Sequence, residues 1–434
     1  MFSLKARLAE EIGPMRERVN LLRTVHGDKV ISECTISQAI GGMRSVKCMV
    51  SDISALDPME GIKFRGYSIP EIREKLPKVA GGREPLPEGL LWLLMTGKLP
   101  TQAETAEVTA ELHRRSGLPA HVLAVLDALP MNTHPMTMFI AGITAMQTQS
   151  QFAVRYHDGM RKEEYWDPAF EDAMTIIAQL PELAARIYRR KYKNSEYITA
   201  DTSLDWAGNF AHMIGLDNPD FKMLMRLYQV IHSDHEAGNV SAHTTHLVGS
   251  ALTDPFLSLA AGIAGLAGPL HGLANQEVLR WVTDLQARMG VDVPTEAQLE
   301  KALWDTLNSG QVIPGFGHAV LRQTDPRYMA QREFALHNLP DDPLFRLVSM
   351  IYEIAPRVLT EHGKTKNPWP NVDAHSGCLL VHYGMTEHDY YTVLFGVSRA
   401  IGVLSNLVWS RALGFALERP KSVTTDWLLA QVQN

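Results

Sequence analysis

The sequence predicts a mainly α-helical protein, and three observations carry that prediction. Apolar residues recur at helical spacing over most of the chain, alternating stretches of strand type are scarce, and no strand–helix–strand rhythm is present. At the start, Leu4, Leu8 and Ile12 fall on one face of an amphipathic helix over residues 1–12, with acidic residues between them. Short strands are expected at Lys29–Thr35 and Ser45–Asp52. Helices follow at Gly89–Met95, Thr101–Arg115, Phe170–Tyr192, Phe221–His232, Asn275–Arg288, Thr295–Asn308, Pro343–His362 and Glu387–Leu417. In the stretch Asn275–Arg288, the residues Val278, Trp281, Val282 and Leu285 make one buried face. Breakers cluster near residues 78–85, 313–317 and 367–370, which mark loops.

Two apolar stretches need a reading of their own. Phe256–Leu270 is short and interrupted by Gly262, Gly265, Gly268 and Pro269, and Tyr391–Trp409 carries Arg399 at its middle. Both read as buried core helices rather than membrane spans.

At 434 residues the chain is long enough for two packed domains, or for one large domain with a smaller partner. A net charge of −7 argues against broad nucleic-acid binding, because neutralising phosphates needs a basic surface. Anionic small substrates remain open, since a few local arginines suffice to hold them. Three cysteines, Cys34, Cys48 and Cys378, have no metal-ligand spacing and suit a reducing compartment.

The chemistry-bearing residues concentrate in four turn-rich segments: His232-Ser-Asp-His235, Gly268-Pro-Leu-His271, Pro314-Gly-Phe-Gly-His318 and Asn367-Pro-Trp-Pro-Asn-Val-Asp373. Imidazole and carboxylate groups on stiff turns, separated by long helices, suggest one site assembled from many elements. A neutral imidazole donates a hydrogen bond to a carbonyl and a carboxylate removes a proton, a combination suited to enol chemistry. His271 is expected just before a helix beginning near Asn275, where the positive helix end disfavours imidazolium; a loop histidine with a backbone partner fits the same position. Asp373 equally suits a turn cap. Arg399, in an apolar helix, needs an anion, either a structural carboxylate or a substrate.

Other motifs fail on inspection. His232, His235, His243 and His246 lie close in sequence, but no zinc-protease pattern occurs and Gly238-Asn239 breaks the helix, so locally hydrogen-bonded histidines are expected rather than a metal site. Gly363-Lys364-Thr365 has Val358 where a phosphate loop needs its first glycine.

The four segments, together with Gly41-Gly-Met-Arg44, Gly61-Ile-Lys-Phe-Arg-Gly-Tyr67, Leu224–Gly249 and Tyr390–Pro420, closely resemble the citrate synthase family of the eukaryotic, mitochondrial kind. The resemblance covers nearly the whole chain. It implies a large helical domain over residues 1–273 and 381–434, with a smaller one over 274–380 closing the cleft. It implies condensation of acetyl-CoA with oxaloacetate without a metal or redox cofactor, in a homodimer whose sites are shared. His271 would polarise the thioester carbonyl, His318 the oxaloacetate carbonyl, and Asp373 would serve as the base. Oxaloacetate would be held by His235, Arg327, Arg399 and, from the other subunit, Arg419. Coenzyme A would meet Arg44, Arg161, Arg322 and Lys366 at its phosphates, and the loop with Val312, Ile313, Gly315 and Gly317 around its adenine. Phe316 stands where the family commonly has tyrosine.

The resemblance also favours a processed chain of the mitochondrial matrix, since the acidic residues among the first twelve do not suit an import segment. No nucleic-acid or membrane partner is expected. Two alternatives stay open at this point: 2-methylcitrate synthase, which uses propionyl-CoA with the same machinery, and a non-catalytic helical scaffold.

Overall fold

The computed structural model describes residues 2–318 and 320–432. Among them are twenty α-helices, three short 3-10 turns and a single three-stranded antiparallel sheet, so the all-α class holds. The helix Tyr391–Leu413 is the axis: every residue from Tyr391 to Ala412 is buried. Helices Trp166–Tyr192, Val240–Ser250 and Pro255–Leu266 pack directly on it. Although the stretch His388–Leu413 is long and apolar enough to cross a membrane, its burial on all sides makes it a core helix, as expected. It ends at Leu413, four residues before the expected end at Leu417, because Gly414 turns the chain into the left-handed region at φ 65°.

Several expected helices appear with sharper ends. Thr101 and Thr295 are caps rather than first turns: each accepts from the backbone three residues on, while Glu104 or Gln298 reaches back to the cap. Unforeseen helices include Ile69–Lys75, Pro135–Ala145, Trp206–Ile214, Val240–Ser250, Pro326–Asn338 and Asp373–His382. Asp373–His382, for example, has every residue from Ala374 to Leu380 buried, and its apolar residues lack a clear helical period.

The expected strands are corrected. Residues 29–35 and 45–52 are irregular, and Val30 and Ile31 are 73% and 68% exposed, with no sheet to bury them. The sheet forms just downstream as β1 (Ser54–Asp57), β2 (Gly61–Phe64) and β3 (Tyr67–Ser68), with Ser54 opposite Phe64 and Asp57 opposite Gly61. Two features close the hairpin. Asp57 Oδ1 accepts from the Met59 and Glu60 N–H groups at 2.7 and 2.9 Å, and Gly61 supplies φ 84°. Ile62 and Phe64 are then fully buried.

Helices Ala274–Met289, Glu296–Asn308, Pro326–Asn338, Pro343–His362 and Asp373–His382 form a neighbouring group, packed chiefly through Asp373–His382.

Candidate active site

The site begins where helix Pro219–Ile231 ends. His232 caps it, stacks on Tyr228 with ring centroids 4.0 Å apart, and bonds the Tyr228 carbonyl through Nδ1 at 3.0 Å. Burial first, then Arg327, push its pKa down to about 3. The chain then runs irregularly through Asp234 and His235 to Asn239, passing Glu236 at φ 57°. Asn239 holds this loop together. Its Oδ1 accepts from Ala242 N at 3.1 Å, Ser241 Oγ at 2.9 Å and Arg399 Nη1 at 3.0 Å, and its Nδ2 donates to the carbonyls of His235 and Glu236. Asn239 is thus both a helix cap and a cleft residue.

His271 lies in the turn before helix Ala274–Met289, as its glycine-proline setting suggests. The helix end that touches its ring is a different one, however. The backbone N–H of Ser241, in the first turn of Val240–Ser250, points at His271 Nε2 from 3.2 Å, with Ser241 Oγ at 2.9 Å from the same nitrogen. An amide can only donate, so Nε2 is the acceptor and the ring proton sits on Nδ1. Burial and then the charge of Arg399 lower its pKa to about 4, which keeps the ring neutral.

His318 has the opposite tautomer. Its Nδ1 accepts from Val320 N at 3.0 Å and Leu321 N at 3.1 Å, leaving Nε2 as the protonated nitrogen of the neutral ring. Burial and Arg327 lower its pKa, also to about 4. His318 and His235 meet edge to face with centroids 5.3 Å apart.

Asp373 is the first residue of helix Asp373–His382, not a loop residue, and its own N–H donates to Asn371 Oδ1 at 3.0 Å. Two loops are laced beneath it. Gly317 N donates to Trp369 O at 3.0 Å, Asn371 N to Gly315 O at 2.9 Å, and Asn371 Nδ2 to Gly317 O at 3.1 Å. Gly315 at φ 81° admits this approach, since a Cβ there would stand 2.9 Å from Ala374. Burial raises the Asp373 carboxyl to about 6, opposed by Arg327 and Arg399.

Two buried arginines complete the cluster. Arg327 forks onto Asp325, with Nε 3.0 Å from Oδ1 and Nη2 2.6 Å from Oδ2. Arg399 is 1% exposed and bonds only neutral acceptors among the described residues: His232 O at 3.2 Å, and Asn239 Oδ1 and Ser241 Oγ at 3.0 Å. His235 Nε2 is buried with no hydrogen-bond partner among those residues. Burial lowers the His235 pKa well below its usual value, followed by the charges of Arg327, His318, Arg399 and His271. His235, His271, His318, Arg327, Asp373 and Arg399 therefore form one cluster.

The remaining candidates stand apart from this cluster. Arg419 is exposed, and no hydrogen bond or ion pair joins it to these residues. Arg44 and Lys366 are exposed, Arg161 pairs at the surface with Glu164 at 3.0 Å, and exposed Arg322 donates to the carbonyls of Val320 and Leu321. Val312 is 75% exposed whereas Ile313 is buried. His243 bonds Glu418 at 2.7 Å, and His246 lies 3.7 Å from the same carboxylate. Sequence reasoning did not reach Asn239, Ser241, Asp325 or Asn371, because a polar residue's partner across the fold leaves no local signal.

A family model described as the citrate synthase C-terminal domain matches residues 42–421. The chain is 58% identical to the mitochondrial citrate synthase of Daucus carota over 98% of this chain and 90% of that protein. It is 57% identical to that of Xiphias gladius, over 99% and 92%. The citrate synthase structure from Pyrobaculum aerophilum superposes with a TM-score of 0.77 at 25% identity, covering 92% of this chain and 95% of that one. The fold also matches a citrate synthase from Thermoplasma acidophilum, solved with carboxymethyl coenzyme A and oxaloacetate, at TM-score 0.75 and 21% identity over 90% and 96%. The relatives support the citrate-forming reading, not the propionyl-CoA alternative.

Proposed function

The chain belongs to the citrate synthase family, and from that premise we propose which of its residues carry the reaction. It is an acyltransferase of the tricarboxylic acid cycle that condenses acetyl-CoA with oxaloacetate and water to citrate and coenzyme A. In the proposed sequence, Asp373 removes a proton from the acetyl methyl group. A carboxyl held near pH 6 is a stronger base than a solvated one and is still ionised at neutrality. Nδ1–H of His271 donates to the thioester oxygen as charge develops on it. Nε2–H of His318 donates to the ketone of oxaloacetate, which the enol carbon attacks. Water then cleaves the citryl thioester, releasing coenzyme A.

Arg399, Arg327 and His235 hold the oxaloacetate carboxylates. Arg327 engages Asp325 through Nε and Nη2, which leaves Nη1 for substrate. Arg419 completes the site of a partner subunit, so the working unit is a homodimer. Coenzyme A lies along Arg44, Arg161, Arg322, Lys366 and the loop from Val312 to Gly317. The helical group over 274–380 closes on the larger body over 1–273 and 381–434, excluding water from the enol(ate). These roles use no metal or redox cofactor. The relatives are mitochondrial, and the matrix is the proposed compartment.

One observation carries this reading: Arg399 is a buried guanidinium whose hydrogen-bond acceptors among the described residues are all neutral, in contact with the residues that orient His271. Leaving a buried charge uncompensated costs several kcal/mol, and a substrate carboxylate compensates it. Arg399→Lys keeps the charge and loses the planar fork. Oxaloacetate binding should weaken about tenfold or more, with acetyl-CoA binding changed much less. Equal losses for both substrates would make Arg399 structural and remove the reading.

A further inference from the structure

The β1–β2 hairpin touches the active-site cleft on both sides, although none of its residues belongs to the proposed machinery. On one side, Ser54 of β1 is buried and donates to the Asp234 carboxylate, while its oxygen accepts the Glu236 N–H at 3.0 Å. These two residues flank His235, and Glu236 is held in the left-handed region at φ 57°, a conformation unfavourable for a residue with a side chain. On the other side, the Pro58 carbonyl accepts from Arg322 N at 2.8 Å. Gly61 lies against Pro326 so closely that a Cβ there would stand 2.4 Å from the proline ring. Those contacts fall within the segment that carries His318 and Arg327. Arg65, just after β2, anchors the hairpin to the helical body by donating to Leu94 O from Nε and Nη2 at 3.0 and 2.8 Å.

We propose that this hairpin is a clasp that places the two halves of the oxaloacetate site relative to one another, with Ser54 as the positioning residue for His235. A single hydroxyl donates to the Asp234 side chain and accepts from the Glu236 backbone, so it ties down the residue on either side of His235. The His235 ring has no hydrogen bond at Nε2 among the described residues to hold it instead. The hairpin turn fixes the opposite wall through two independent contacts, which places His318 against His235 at 5.3 Å between centroids.

The inference rests on the reading of His235 as an oxaloacetate-binding residue, and a double-mutant cycle separates the two. Oxaloacetate binding to the intact protein is measured calorimetrically for wild type, Ser54→Ala, His235→Ala and the double variant. Ser54→Ala should weaken binding about tenfold in the wild-type background and less than twofold when His235 is already alanine. Ser54→Thr, which retains the hydroxyl, should restore binding to within about threefold of wild type. Should Ser54→Ala bind as wild type while His235→Ala is impaired, the clasp fails and the reading of His235 stands. An equal loss in both backgrounds also overturns it, since Ser54 would then act generally on the fold. Wild-type binding by His235→Ala would overturn the reading of His235, and the clasp with it. Gly61→Ala probes the other wall: displacing Pro326 should raise the KM for oxaloacetate more than that for acetyl-CoA, and equal increases would refute that half.

Discussion

The backbone N–H of Ser241 points at Nε2 of His271 across 3.2 Å, and this contact determines which tautomer His271 adopts. Because an amide cannot accept, the histidine proton is confined to Nδ1, and burial beside Arg399 keeps the second proton off down to about pH 4. The same hydroxyl-bearing residue receives Arg399 Nη1 at 3.0 Å. The first turn of one helix thus orients both the proposed hydrogen-bond donor to the thioester and the proposed cation for the keto acid.

Asp373→Asn keeps the shape of the proposed base and removes its basicity. Condensation should fall by about 10²–10⁴. Solvent deuterium exchange into the acetyl methyl group, measured with a non-reacting oxaloacetate analogue bound, should fall in parallel, whereas hydrolysis of supplied citryl-CoA should fall less. Exchange at the wild-type rate in the variant would move the base elsewhere.

The pH profile follows from the three titrating groups. The proposed mechanism requires Asp373 ionised, and its pKa is raised to about 6, while it requires His271 and His318 neutral, and theirs are lowered to about 4. The acid limb of kcat/KM for acetyl-CoA should therefore bend near pH 6 and fall about tenfold per unit below it. A bend near pH 4 would show that Asp373 is not the limiting group.

Arg419 is exposed in the single chain, on a segment whose neighbour Glu418 is tied to His243 at 2.7 Å and to Ser250 Oγ at 3.0 Å. If it serves a partner's site, inactive Arg419→Ala and inactive Asp373→Ala subunits should complement. Each heterodimer then has one site with both defects and one with neither, so a random equimolar mixture should recover about a quarter of wild-type activity. Heterodimers that form and stay inactive would place Arg419 in its own subunit's site or outside both.

Glu88 tests the body of the fold away from the cleft. It is buried, its Oε1 accepts from Trp206 N at 2.8 Å and Thr109 Oγ1 at 3.0 Å, and its Oε2 has no partner among the described residues. Burial, and then Asp205, raise its pKa from 4.5 to about 7, although Asp205 itself is forked by Arg226. A raised carboxyl favours the folded state fully below pH 4.5, and that contribution is lost as pH climbs to 7. Glu88→Gln cannot ionise, so it should gain roughly 1–3 kcal/mol over wild type at pH 8.5 and little at pH 5. Thermal unfolding at the two pH values decides this, and a pH-independent difference would contradict it.

The helical class and the core were legible in the sequence wherever one face of a helix meets solvent. Ala274–Met289 shows this most plainly, since its buried Val278, Val282 and Leu285 repeat at helical spacing. Where an element is buried all round, as over Ala374–Leu380 in helix Asp373–His382, the apolar period vanishes and the helix is not legible. The strand signal failed for the opposite reason: Val30 and Ile31 have strand propensity but no surface to cover them, whereas Ile62 and Phe64 do. The residue types of His271, His318, Asp373 and Arg399, and the stiff turns around three of them, were written in the chain itself. Their protonation and orientation were not. The His271 tautomer depends on Ser241, thirty positions away, Arg399 on Asn239, and the Asp373 pKa on burial and distant arginines. A hydrogen bond or a desolvated charge is a relation between groups in space, and local sequence carries the groups but not the distances, so only the tertiary structure decides what each one does.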